Sequence, residues 1–134
     1  MPLTATLTDI RTSEDVRLMV DAFYIKVRQD PILGVIFDQM AQVDWEEHLP
    51  LMYQFWETIL LHREGYKGDP IEAHVRLDAE MRYDHNTGLE AIDFERWLFL
   101  FRETVDEMFA GRRSEMAKRG ATRMSAHMQR ALML

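Results

Sequence analysis

The sequence predicts an all-α protein, and three observations support that fold class. Apolar residues recur every three to four positions in five stretches, which is the period of a helix with one buried face. No stretch alternates convincingly with a period of two, as a half-buried strand would. Asp-Pro pairs and glycines separate the stretches, and such residues commonly lie at helix ends. The 134 residues suit one domain, which we expect to span residues 1–134.

The first predicted helix runs from about Ser13 to Gln29. Its apolar stripe consists of Val16, Met19, Val20, Phe23, Tyr24 and Val27. We expect it to stop at Asp30, because the residue before Pro31 resists the helical conformation. The following segment, ILGVIFD, is an apolar connector that carries Phe37.

The second predicted helix, about Asp44 to His62, places a histidine on its apolar face. Asp44 can cap the free amides, and Glu47 stands at the spacing of a capping box. The apolar positions are Trp45, Leu49, Met52, Phe55, Trp56 and Ile59. His48 lies on the same stripe, and a buried imidazole needs a partner for its ring nitrogens. His48 is therefore either a functional residue or a core histidine bonded to a carbonyl.

The third predicted helix begins at Asp69 and Pro70, a favourable cap and first-turn proline. It runs to about Asp84, and Asn86 and Gly88 interrupt the pattern after it. One side of this helix carries Ile71, His74, Leu77 and Met81.

Two further helices complete the prediction. The fourth, about Glu90 to Ala110, is strongly apolar, and we expect Gly111 to close it. The fifth spans about Ser114 to Leu132. The apolar stripe of the fourth consists of Phe94, Trp97, Leu98, Phe101, Val105, Met108 and Phe109.

The composition excludes several classes of function. Cysteine is absent, which excludes disulfides, thiolate metal sites and cysteine nucleophiles. The net charge is −7 and the basic residues are scattered, so we expect neither nucleic acid nor a membrane as a partner. The segment MPLTATLTDI has no basic region or long apolar run, and we expect a cytoplasmic protein.

The histidines carry much of the candidate chemistry. His62 and His127 flank polar positions and are expected at the surface, whereas His48 and His74 both occupy apolar stripes. The chain has no Glu-x-x-His pair, which a di-iron bundle needs, and no His-Glu-x-x-His zinc motif. A helical pocket in which single imidazoles face rings and methionines is the setting of a haem.

Five segments carry a family resemblance by their order and spacing. FYIKVRQDPILGVIF has a Phe-Tyr pair, an Asp-Pro turn and a phenylalanine, and the match covers about residues 10 to 132. It continues through WEEHLPLMYQFW, ILLHREGYKGDPIEAH, DFERWLFLFRETVDEMF and MSAHMQRAL. The chain thus resembles the truncated haemoglobins of group III. This resemblance implies a shortened globin fold, in which two helix pairs sandwich haem b.

The resemblance also implies roles for individual residues. By position, His74 matches the axial ligand of the haem iron, and Tyr24, His48 and Trp97 match the residues around the distal ligand. The remaining cofactor-binding candidates are Phe37, Met52, Phe55 and Phe101. Plain core packing stays open as an alternative for Phe37, Phe55 and Phe101. Tyr24 could also be a core tyrosine with its hydroxyl at the surface, and Trp97 could be an anchor between helices. Candidate cations for the haem propionates are Arg63, Lys67, Arg76 and Arg82.

The segment between His74 and Trp97 is several residues longer than the resemblance predicts. It could lengthen the helix that carries His74, which we call the proximal helix, or it could insert a loop. It also adds His85 as a competing ligand. We favour His74 because YKGDPIEAH matches the family well. The predicted function is the binding of oxygen, nitric oxide or carbon monoxide, with redox chemistry on nitric oxide or peroxide and a reductase partner left open. The alternative is a haem-free interaction module whose long segment displaces the proximal helix.

Overall fold

The computed structural model describes residues 6–134, and this part of the chain is helical without any strand. The helices are α1 (Ser13–Gln29), α2 (Trp45–Leu61), α3 (Pro70–His85), α4 (Ala91–Met108) and α5 (Arg112–Ala131). The apolar connector after α1 contains a π-helical turn, Val35–Met40. The all-α prediction is confirmed. Across residues 6–134, every helix is too short or too polar to span a lipid bilayer.

Side-chain caps start the first two helices in different ways. At α1, the Asp15 N–H donates to the Thr12 hydroxyl at 3.1 Å and the Thr12 N–H donates to the Asp15 carboxylate at 3.1 Å, a complete capping box. At α2, the Asp44 carboxylate accepts a hydrogen bond from the Glu46 N–H at 3.1 Å. The capping box predicted with Glu47 is wrong, because the Glu47 N–H donates to the backbone carbonyl of Asp44 instead.

Gly111 is the N-cap of α5, so the prediction that it closes α4 is wrong. α4 already ends at Met108. Gly111 has a φ of +147°, which residues other than glycine rarely adopt. A Cβ atom at this position would lie only 2.5 Å from Cγ of Asp9. The Asp9 carboxylate approaches this closely because it accepts the N–H groups of Arg113 and Ser114, both at 2.9 Å, and thereby caps α5.

The helices pack as two pairs. α1 lies against α2 and α4 lies against α5, while contacts of α1 with α4 and of α2 with α5 join the pairs. Between them lies a core of fully buried side chains that includes Met19, Phe23, Leu60, Phe101 and Val105. Burying one such side chain stabilises a fold by about 1.5–3 kcal/mol. This core holds the inner faces of α1, α2 and α4 together.

The residues that directly follow His74 belong to α3, and no loop interrupts them before the helix ends. α3 runs without a break to His85, and Asn86 ends it in the left-handed conformation, with a φ of 55°. α3 packs on α5, and within it Met81 is buried. Ile71, expected on the inner side, is 37% exposed. A helix advances about 100° per residue, so Ile71 lies about 80° around the axis from Met81.

Candidate functional site

His74 lies in the second turn of α3, whose start is set by local sequence. Asp69 caps the helix by accepting the Glu72 N–H at 3.1 Å, and Pro70 is its first residue. The Nδ1 atom of His74 lies 2.7 Å from the carbonyl oxygen of Pro70. A carbonyl oxygen only accepts hydrogen bonds, so Nδ1 must carry the proton. Within residues 6–134, no hydrogen bond engages the remaining ring nitrogen, Nε2.

The surroundings of His74 favour its neutral form. Burial lowers the pKa of His74, although the bond to Pro70 acts in the opposite direction. The ring of Phe94, on α4, lies with its centroid 6.3 Å from that of His74. A neutral imidazole that donates from one nitrogen to a carbonyl and keeps a lone pair on the other is the usual form of a histidine metal ligand.

Tyr24 and His48 meet between α1 and α2. The Tyr24 hydroxyl oxygen lies 3.3 Å from Nε2 of His48, within hydrogen-bond reach. Burial raises the pKa of Tyr24, and a hydrogen bond from Trp97 offsets part of that rise. Burial also lowers the pKa of His48 to about 4, and repulsion from His74, when that ring becomes protonated in acid, adds to the effect. At neutral pH the site therefore contains a protonated phenol and a neutral imidazole.

Phe23 connects Tyr24 with the aromatic side chains of α4. Its ring centroid lies 4.8 Å from Tyr24, 5.7 Å from Trp97 and 5.2 Å from Phe101. Trp97 and Phe101 stack on each other at 5.7 Å. The phenol of α1 and the indole of α4 thus belong to one apolar cluster.

The other predicted pocket residues divide into two groups. Phe37 lies 5.9 Å from Tyr24 and 6.2 Å from His48 between ring centroids, and we refer to these three residues as the distal group. Phe55 is buried in a different neighbourhood, 5.1 Å from the ring of Tyr66. Met52 is half-buried at the edge of the core.

Trp45 also belongs to the distal group, although the sequence interpretation treated it only as a core position. Its ring lies 5.3 Å from Tyr24 and 5.5 Å from His48, and it stacks on Phe37 at 5.8 Å. The available signal was spacing, since Trp45 stands three residues before His48 on the same helical face. Phe23 and Phe94 were likewise visible only as members of apolar stripes.

The other histidines and the candidate cations lie at the surface. His62, His85 and His127 are exposed, as expected for His62 and His127. The propionate candidates are exposed as well; they are Arg63, Lys67, Arg76 and Arg82. Arg82 donates to the Asp78 carboxylate at 3.0 Å. Across the described residues, no three His, Asp or Glu side chains cluster closely enough to hold a metal ion.

Comparison with known proteins gives one curated relative and one solved structure. The relative is the group 3 truncated hemoglobin of Campylobacter jejuni, 28% identical over 122 residues, which are 89% of each protein. The crystal structure of a group III truncated hemoglobin from Campylobacter jejuni matches with a TM-score of 0.77 at 26% identity, over 93% of this chain and 94% of that one. No protein-family model matches the chain. In sequence and in fold, this chain resembles the group III truncated haemoglobins over nearly its whole length, as its motifs predicted.

Proposed function

We propose that this chain is a haem-binding globin that takes a diatomic gas in a polar distal pocket. The observation that carries the proposal is the state of His74, a neutral imidazole with Nδ1 bonded to Pro70 and a lone pair on Nε2. The resemblance to a protein named as a truncated hemoglobin supports the same function.

The residues of the site fit haem b. His74 would bind the haem iron through Nε2, and apolar side chains from three elements would pack against the macrocycle. These are Phe37, Met52, Phe55 and Phe101. A single imidazole suffices for such a site, because the porphyrin itself provides the other nitrogen ligands of the iron. When bound, haem would supply a ferrous iron that can take oxygen, nitric oxide or carbon monoxide.

The distal side chains would act as hydrogen-bond donors toward the gas. Oxygen acquires partial negative charge on binding, so a fixed O–H or N–H aimed at it is stabilising in a water-poor site. Tyr24 keeps its proton at neutral pH, since the ordinary pKa of a phenol is about 10 and burial raises it further, and the Trp97 indole is also a donor. The Tyr24 hydroxyl can donate either to Nε2 of His48 or to the gas.

A haem titration tests the proposal. Haemin added to the purified chain should produce an intense Soret band that saturates at one equivalent, and the reduced protein should bind carbon monoxide. The His74→Ala variant, which lacks the proposed iron ligand, is the control for non-specific uptake. A chain that folds but gives no saturable band would favour the alternative, a haem-free helical interaction module.

A further inference from the structure

The Trp45 indole is held from two sides by charged residues. Its Nε1–H donates to Oδ1 of Asp38 at 2.8 Å. The Nε–H of Arg28 donates to the other oxygen of the same carboxylate at 3.3 Å. The guanidinium carbon of Arg28 also lies 4.8 Å from the centroid of the indole ring, within the range of a cation–π contact. We refer to Arg28, Asp38 and Trp45 as the Trp45 latch.

The Trp45 latch joins three elements at one corner of the molecule. Arg28 stands at the end of α1, Asp38 in the π-helical turn and Trp45 in the first turn of α2. An exposed ion pair alone contributes little to stability. Here the same carboxylate also accepts the indole N–H, and the same guanidinium covers the indole face. These three contacts together restrict the indole to one position.

The indole in turn limits where His48 can go. The ring of His48 is only half-buried, and its polar contact with Tyr24 is long for a hydrogen bond, at 3.3 Å. Trp45 packs edge-on against the imidazole, with an interplanar angle of 89°. Because it also contacts Tyr24, Trp45 holds together the two side chains that meet between α1 and α2.

We propose that Trp45 is a positioning residue, which keeps His48 against Tyr24 and thereby sets how fast a gas reaches the distal pocket. Loosening the latch lets the imidazole turn toward solvent and opens the path. The effect on gas entry rests on the proposed function, whereas the effect on His48 concerns side chains of this chain alone.

Two latch variants and one control test the proposal. Trp45→Phe keeps a ring but removes the N–H, and Asp38→Asn removes the charge that pairs with Arg28. Asp106→Asn is the matched control, because Asp106 is an exposed carboxylate that accepts a hydrogen bond from Lys118 at 2.6 Å, between α4 and α5.

The first measurement is the pKa of the His48 ring, followed by NMR on the full chain and assigned with a His48→Gln spectrum. The pKa should rise from about 4 toward the ordinary value of 6.5 in both latch variants and stay unchanged in the control. Two titratable groups act on His48: Tyr24 lies 3.3 Å from its Nε2 atom, and His74 lowers its pKa electrostatically. None of the three substitutions alters either residue.

The second measurement is carbon monoxide association after flash photolysis of the haem-loaded protein. Association should become about fivefold faster in the latch variants, which corresponds to about 1 kcal/mol. A His48 pKa that stays near 4 in folded latch variants would overturn the proposal, as would a shifted pKa with an unchanged association rate. If Trp45→Phe does not fold, the Asp38→Asn variant alone tests whether the latch positions His48. A shifted pKa in a chain that takes no haem would support the positioning of His48 and reject the proposed function.

Discussion

The Nδ1–H of His74 donates to the carbonyl oxygen of Pro70, one helical turn earlier, at 2.7 Å. Both residues belong to the segment GDPIEAH, in which Asp69 and Pro70 set the first turn of α3. The bond fixes the tautomer of the imidazole and leaves Nε2 with its lone pair. The protonation state that a metal ligand needs is therefore present in the chain before any metal binds.

We expect haem attachment to depend on His74. His74→Ala should remove the axial nitrogen, and the variant should lose most of its haem during purification. His85→Ala is the matched control: it removes an exposed histidine from the end of the same helix and should keep its haem. The ratio of Soret to protein absorbance measures both. Loss of haem in the His85 variant and retention in the His74 variant would contradict the assignment.

Tyr24→Phe should speed the release of oxygen. The substitution removes only a hydroxyl, and a hydrogen bond to a charged group contributes about 1.5–3 kcal/mol. Losing it should raise the oxygen dissociation rate by roughly ten- to a hundredfold, since ~1.4 kcal/mol is a factor of ten. Carbon monoxide carries little charge when bound and should be affected much less. Stopped-flow dissociation of both gases provides the comparison.

Tyr24→Phe and Trp97→Phe should not be additive. The two side chains contact the same Phe23 ring, and Trp97 affects the pKa of Tyr24, so they belong to one network. A double-mutant cycle of oxygen dissociation rates should therefore give a coupling energy above about 0.5 kcal/mol. Equal effects of the substitutions on oxygen and carbon monoxide would show that the residues act through their bulk, not through their donors.

His48 should make the chain without haem less stable in acid. Its pKa is lowered to about 4 in the folded protein from 6.5, so the unfolded chain takes up the proton first as the pH falls. The contribution of neutral His48 to the free energy of unfolding is present above pH 6.5 and is lost as the pH falls from 6.5 through about 4. The loss amounts to at most about 3 kcal/mol. Urea unfolding of the wild type and of His48→Gln across this range should show a smaller acid loss in the variant.

Asp30 should be important for stability at the turn between α1 and the π-helical turn. Its buried carboxylate accepts hydrogen bonds from Arg96 and from the N–H groups of Ile32 at 3.1 Å and Leu33 at 3.0 Å. Burial alone would raise the pKa of Asp30, but these donors lower it. Asp30→Ala would leave these donors without an acceptor and should reduce the free energy of unfolding by about 3 kcal/mol.

The control for Asp30→Ala is Asp106→Ala, at an exposed ion pair, which should change the free energy of unfolding by less than about 1 kcal/mol. Urea unfolding measures both variants. Because Arg96 adjoins Trp97 in α4, Asp30→Ala should also shift the NMR signal of the Trp97 indole. Equal losses of stability in the two variants would contradict the importance given to burial of Asp30.

Local sequence patterns predict the five helices and most of their ends. The signals are the Asp-Pro pairs, Asn86 and the apolar stripes. They act between residues within about four positions of each other, so they are visible in the sequence. The same local signals place Tyr24, His48 and His74 on inner faces. They also place Trp45 on the stripe of His48, but they do not say which side chains of another helix it meets.

How these faces meet depends on the packing of the whole chain. The contact of Trp45 with Tyr24, and the approach of Asp9 to Gly111, join residues that are far apart in the chain. The exposure of Ile71 follows from which side of α3 rests on α5. Such contacts depend on the packing angles and distances between helices, and these arise from the fit of many side chains at once. The apolar stripe of a helix indicates which face is buried. Which other helix covers that face is established only when the whole chain packs.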